Sequence, residues 1–203
     1  PACCSMPSST ATAAVEEYEK VLSIRKNTQT QITKVLGQAD SLIQTLKHKK
    51  AESINDYVRY LADLRGIRGE VISLKELRYA DLAGIEKYET QLQQFAQDTA
   101  NGAVAFLLQP DALAPYEKKV REINTAIEGI AKVVEADATD KEITAVSAEL
   151  EMLIDVVSNL KIEDATQTTR IIDTISAIYA TFNQTKATLR RKRKELLSQE
   201  GKA

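Results

Sequence analysis

The 203 residues include one histidine, two cysteines, no tryptophan, four prolines and seven glycines. Each scarcity closes off a kind of chemistry. A single His cannot supply the paired Glu-x-x-His motifs of di-iron bundles, and His48 sits in Leu-Lys-His-Lys-Lys, where lysines repel a cation. Cys3 and Cys4 are adjacent and make no disulfide framework, and with the distant His48 they form a weak ligand set. Neither a metal nor any other cofactor is therefore expected, and a reducing cytoplasm is the expected compartment. No run approaches the roughly 20 apolar residues of a membrane span. The opening Pro1-Ala-Cys-Cys-Ser lacks the basic start and apolar stretch of a signal peptide, so no membrane association is expected.

The few glycines do not form a phosphate loop. Gly66-Ile-Arg-Gly69 has the wrong spacing and no Lys-Ser/Thr. Gly201-Lys202-Ala203 lacks the first glycine and the hydroxyl, so bare N–H groups cannot gather round a phosphate. No Gly-x-Ser-x-Gly elbow presents a serine, and His48 falls within a helical pattern. The many Asp and Glu residues are most simply a solvated face. No catalytic residue stands out, and an enzyme is not expected.

What remains is rich in Ala, Glu, Lys, Leu and Gln, a composition that favours long helices over sheet. A net charge of −2 gives no global attraction to nucleic acid, so such a partner would have to meet a local patch. Residues 1–10, small and polar with two prolines, read as a disordered tail. Residues 11–203 read as one all-α module, helical over about 11–50, 53–65, 81–108, 111–136, 139–161 and 164–198.

The first helix, capped by Ser9 or Thr10, carries Val15, Tyr18, Leu22, Ile32, Val35, Ala39, Leu42 and Leu46. At about 1.5 Å per residue it is a rod roughly 60 Å long. Ser53 and Asp56 resemble a capping box for a short second helix with Ile54, Tyr57, Leu61 and Leu64. Gly66 and Gly69 interrupt that pattern, leaving Val71, Ile72 and Leu74 as a candidate extended stretch. Asp81 opens a third helix, which Asn101-Gly102 kinks or ends. A fourth begins near Asp111 or Pro115 and carries Tyr116, Val120, Ile123, Ile127, Ile130 and Val134. The turn is expected in Ala-Asp-Ala-Thr-Asp at 136–140, with Thr139 or Asp140 as the next N-cap.

The strongest pattern follows. Leu150, Leu153, Val157 and Leu160 line one side of a helix. Ile171, Ile175, Ile178, Phe182 and Leu189 line another, with Thr185 or Lys186 filling one turn. Between them the rhythm stops, and Asp164 or Thr166 can cap the new helix. Two helices folded back antiparallel bury both stripes at once. The expected architecture is five or six helices in antiparallel hairpins, forming an elongated bundle or a coiled-coil arm.

The sharpest local feature is Arg190-Arg191-Lys192-Arg193-Lys194. Five consecutive cations on a helix point all round it, so some face away from any packed neighbour. They could hold phosphates in a salt-sensitive way. The simpler reading is that they answer the helix dipole or pair with acids on a neighbouring helix. Lys47-His48-Lys49-Lys50 fits that simpler reading.

One stretch, VSNLKIEDATQTTRIIDTISAIYATFNQTKATLRRKRKELL, resembles the large bacterial AAA-type proteins described as DNA-repair ATPases. RGEVISLKELRYADLAGIE, AVAFLLQPDALAPYEKKV and the run-in AAVEEYEKVLSIRKNT resemble them too, so the likeness covers about residues 13–203. The resemblance implies an internal helical module of a longer protein whose ATPase domain lies elsewhere, towards its C-terminus. The start at Pro and the helical ending fit that expectation. No ATPase motif is present here, so the resemblance places no activity on any residue. It implies as partner the remainder of the parent ATPase or another protein.

Two functions compete. One is a non-catalytic structural and interaction module that links or couples the ATPase domain to other parts or partners. The other is a nucleic-acid-binding module that uses residues 190–194, with DNA among the candidate ligands and the type of nucleic acid left open. Self-association through a coiled coil is compatible with both, though the stripes are not strict enough heptads to set a strand number.

Overall fold

The computed structural model describes residues 9–160 and 163–202, and among them every element is helical. In chain order these are α1 (Ser9–His48), α2 (Ile54–Ser73), a 3₁₀ turn (Leu74–Glu76), α3 (Leu82–Leu107), α4 (Ala114–Glu128), α5 (Val133–Asn159) and α6 (Ala165–Glu200). The fold is all-α, and no helix is long and apolar enough among these residues to cross a membrane. The tail expected over 1–10 lies outside the described residues except for Ser9 and Thr10, which are helical. Cys3, Cys4 and Lys161, the last residue of the expected 139–161 helix, also lie outside them.

Contacts divide the chain into two compact units. One runs to Lys50 and includes Ala62–Ala96. The other holds Ala51–Leu61 and everything from Gln97 onwards.

In the first unit, α2 and α3 form a hairpin joined through the 3₁₀ turn, with Lys75 Nζ 2.7 Å from Glu89 Oε2. The later half of α1 buries Ile32, Ala39 and Ile43 against Leu64, Val71, Leu74, Ile85 and Leu92. Thr28 Oγ1 donates to the Arg78 carbonyl at 2.8 Å, and Tyr88 Oη donates to Asp40 Oδ2 at 3.0 Å. Later α1 residues thus meet later α3 residues, and the two helices run parallel. Asp81 Oδ1 accepts from the Gly84 N–H at 3.2 Å and caps α3 as the sequence suggested.

The expectation of an extended stretch at Val71, Ile72 and Leu74 does not hold. Helix α2 continues through Gly66 and Gly69 to Ser73, and Leu74 enters the 3₁₀ turn. Glycine lowers helix propensity by only about 1 kcal/mol. Burial of Leu64, Val71 and Leu74 on one face outweighs it. Nor does Asn101-Gly102 end α3, which runs on to Leu107.

The second unit is built round α4, α5 and α6. Antiparallel pairing of α4 with α5 follows from Tyr116 meeting Glu149 and Lys119 meeting Glu142. Antiparallel pairing of α5 with α6 gives an up-down-up bundle with Ile143, Leu150, Leu153, Val157, Ile175 and Phe182 at its centre. Ile54, Val58 and Val104 join that core. Asp56 N–H donates to Ser53 Oγ at 3.3 Å, and Asp56 Oδ2 accepts from the Glu52 N–H at 3.0 Å. The capping box read from the sequence is present, and the Glu52 N–H, with the Arg59 charge, holds the Asp56 carboxyl below its ordinary value.

The break between α4 and α5 is a correction. It falls at Gly129–Lys132, not at 136–140. Gly129 is the C-cap of α4, and Glu135 Oε2 accepts from the N–H groups of Ala131 at 3.0 Å and Lys132 at 3.2 Å to start α5. Those donors lower the Glu135 carboxyl, Ala131 first. Ala136 is fully buried inside α5, and Thr139 donates to the Glu135 carbonyl, so neither Thr139 nor Asp140 is an N-cap. Asp164 is the N-cap of α6, accepting from the Thr166 N–H at 2.9 Å.

Candidate interaction surface on the last helix

Helix α6 buries Ile171, Ile175, Ile178, Phe182, Thr185, Leu189 and Leu196 along one seam. This is the expected stripe, extended by Leu196. Thr185 takes the turn left open by the sequence, and its hydroxyl donates to Asn124 Oδ1 of α4 at 3.0 Å, which satisfies it within the core. Lys186 lies at the edge of the seam instead.

Beside the apolar seam runs a polar ladder that the sequence reading missed. Tyr179 Oη donates to Glu151 at 2.6 Å, Lys186 Nζ to Thr144 Oγ1 at 2.8 Å, and Arg193 Nε to Asp137 Oδ1 at 2.6 Å. Both strands of rungs step by seven residues, upward on α6 and downward on α5. That is the repeat of two helices wound antiparallel about a common seam. Lys186 also stands 3.9 Å from Asp140 Oδ1. The charges pair at that distance, yet it is too long for a hydrogen bond, and this buried oxygen has no hydrogen-bond donor. The signal was present: Asp137, Asp140 and Thr144 are spaced three and four apart, facing cations seven apart.

The ladder sorts the five cations. Arg193 is tied to Asp137, whose hydrogen bond and charge raise the guanidinium above its ordinary value. Lys192 is half-buried beside it. Arg190, Arg191 and Lys194 are exposed, and at about 100° per residue they lie within one side of the helix. Arg191, Lys194 and Lys202 line a shallow face together with Glu195 and Ser198. The structure therefore splits the five into an arginine that serves packing, a half-buried lysine beside it and three cations that face water.

Elsewhere the polar groups serve packing as well. Tyr116 is buried and donates to Glu149 Oε2 at 2.9 Å. Its hydroxyl is pushed far above its ordinary value, first by burial and then by the Glu149 charge and hydrogen bond. A groove of about 290 Å³ lies between the α3–α4 connection and α6, with Asp111, Glu117, Arg170 and Thr174 on its walls. His48 is exposed in the last turn of α1, beside Lys47. Among the described residues no group of three or more His, Cys, Asp and Glu side chains could hold a metal ion.

Residues 111–195 match the family model of a domain of unknown function, DUF7902. That span holds α4, α5 and most of α6, and is less than half of the chain. No curated protein and no solved structure matches the chain.

Proposed function

We propose that this chain is a non-catalytic helical module that links or couples other parts of a larger protein, or a protein partner. The observation that carries this reading is the heptad-spaced ladder on α5 and α6. Its polar and charged side chains are spent on fixing the register of two long helices, not on a cavity where a substrate could meet them. A helix pair locked in register transmits displacement along its length, since packed side chains resist sliding. The resemblance to large bacterial AAA-type DNA-repair ATPases supplies the context: an ATPase domain outside these residues, acting in the cytoplasm, with this module attached.

The reading is tested by calorimetric titration with ATP and ADP and by mapping the parent protein's ATPase rate. No nucleotide binding by this chain is expected. Sliding the register by mutating Asp137, Thr144 and Glu151 together is expected to uncouple the parent ATPase from its partner without abolishing hydrolysis. Nucleotide binding by the chain alone would overturn the reading.

A second reading keeps nucleic acid as the partner, favoured by the solvent-facing trio Arg190, Arg191 and Lys194. Its test is binding of fluorescent single- and double-stranded DNA across a salt series. Charge reversal at these three positions abolishes salt-sensitive binding if they hold phosphates. Binding that survives the reversal would exclude them.

A further inference from the structure

Helix α1 changes character along its length. From Thr28 onwards it is packed in the first unit, with Thr28, Ile32, Ala39 and Ile43 buried. Thr28 bonds Arg78, and Arg25 stacks its guanidinium 4.7 Å from the Tyr79 ring centroid. Both contacts are with the segment joining α2 to α3, so this is where the hairpin turns. The helix before it lies beyond that turn. There Val15, Tyr18 and Leu22 are 57, 64 and 47% exposed, large values for apolar side chains on a helix.

These three residues are not scattered. Val15 and Leu22 lie, in steps of seven, on the row of Leu36 and Ile43, which Gln29 interrupts. Tyr18 lies on the row of Ile32, Ala39 and Leu46, which Arg25 interrupts. Leu36 and Leu46 are half-buried, and Ile32, Ala39 and Ile43 are buried. An apolar stripe thus runs along α1, broken by Arg25 and Gln29, buried in its later part, half-covered at Val21 and Ile24, and uncovered at Val15, Tyr18 and Leu22. What would cover it is another helix.

Charge identifies which helix. Residues 9–19 carry Glu16, Glu17 and Glu19 and no cation, while residues 20–26 carry Lys20, Arg25 and Lys26 and no acid. Two copies of this segment side by side in parallel would set acid on acid and base on base. Side by side antiparallel and centred on Val21, Glu16 of each copy lies over Lys26 of its mate and Glu17 over Arg25, and the pairing closes with two-fold symmetry. We infer that residues 15–27 of α1 are a self-association surface, pairing antiparallel with the same segment of a second copy of this chain. The inference does not depend on the coupling role proposed above. A pair of helices this short buries less than the roughly 1,200 Å² at the lower edge of stable interfaces, so the association is weak and concentration-dependent.

Sedimentation equilibrium of the full chain over a concentration series tests this. The expected mass rises from one chain to two, with the midpoint moving to higher concentration as salt is added. Tyr18→Glu with Leu22→Glu is expected to hold the chain at one copy. A thermal melt in dilute solution, unchanged from the parent chain, shows that the variant still folds. Reversing the three acids (Glu16, Glu17 and Glu19 to Lys) is expected to prevent self-pairing, as is reversing Lys20 and Lys26 to Glu, which leaves Arg25 in place on Tyr79. Mixing the two reversed chains is expected to restore the pair. A chain that stays single at every concentration would overturn the inference. So would a dimer that persists in the Tyr18/Leu22 variant, which places the contact elsewhere. Reversed chains that fail to pair when mixed would overturn the antiparallel second copy as occupant.

Discussion

Helices α1 and α6 are of similar length, 40 and 36 residues, and both carry an apolar stripe, interrupted in α1 by Arg25 and Gln29. Their fates differ. Helix α6 is covered from Ile171 to Leu196, with a polar ladder along the edge of its seam. Helix α1 is buried only from Thr28, where the hairpin of its unit turns back; Val21 and Ile24 before it are half-buried, and residues 9–20 are exposed. The period of a stripe says which face seeks a partner. Whether the face finds one depends on how far the neighbouring elements reach.

The sharpest way to break that comparison is to truncate one apolar side chain in each helix. Phe182→Ala leaves a cavity at a fully buried site and is expected to cost about 3–5 kcal/mol in chemical denaturation. Leu22→Ala in dilute solution is expected to change stability by no more than about 0.5 kcal/mol. Equal losses would mean that the first turns of α1 are packed after all.

The second test uses pH. Tyr116 ionises well above its ordinary value in the fold and at that value when unfolded. Its contribution is complete below about pH 10 and is lost as pH rises further, at up to about 1.4 kcal/mol per pH unit. Tyr116→Phe is expected to flatten this alkaline limb. The shallower dependence from Tyr88 and Tyr179, which their hydrogen bonds to Asp40 and Glu151 also raise, remains.

Smaller effects separate helices with room from helices without. A Cβ at Gly66 or Gly69 of α2 meets nothing within 4 Å, so Gly→Ala at either is expected to raise stability by about 0.4–1 kcal/mol. At Gly102 of α3 the added carbon would stand 3.0 Å from the Tyr57 ring, which packs on Phe106. Gly102→Ala is expected to show none of that gain. Smallest is the ladder: Lys186→Met, at the edge of the seam, is expected to cost up to about 1 kcal/mol. Lys20→Met in α1, with no packed neighbour, costs nothing measurable in a dilute melt.

Much of the fold was legible because long helices write their faces into the sequence. The stripes of α4, α5 and α6 were read residue by residue, and the caps at Ser53, Asp81 and Asp164 follow from short polar side chains before an apolar rhythm. What failed has local causes. Gly66 and Gly69 look like breakers only until the burial of Leu64, Val71 and Leu74 is known. Ala-Asp-Ala-Thr-Asp looks like a turn because its acids appear to have no helical role, yet Asp137 and Asp140 face Arg193 and Lys186 across the bundle. The basic run was visible at once, but its division could not be. Which of five adjacent cations meets an acid depends on a register set by the core beneath them. The uncovered part of α1 was likewise hidden, since Val15, Tyr18 and Leu22 carry the same pattern as residues that are packed.

The most direct test of this account is amide hydrogen exchange along α1 and α6, first in dilute and then in concentrated solution. Slow exchange is expected across Ile171–Leu196 and across Thr28–Leu46 at every concentration. Fast exchange is expected over residues 11–20 in dilute solution, slowing as concentration rises. Uniform protection of α1 from its first turns in dilute solution would contradict it, as would fast exchange through the centre of α6.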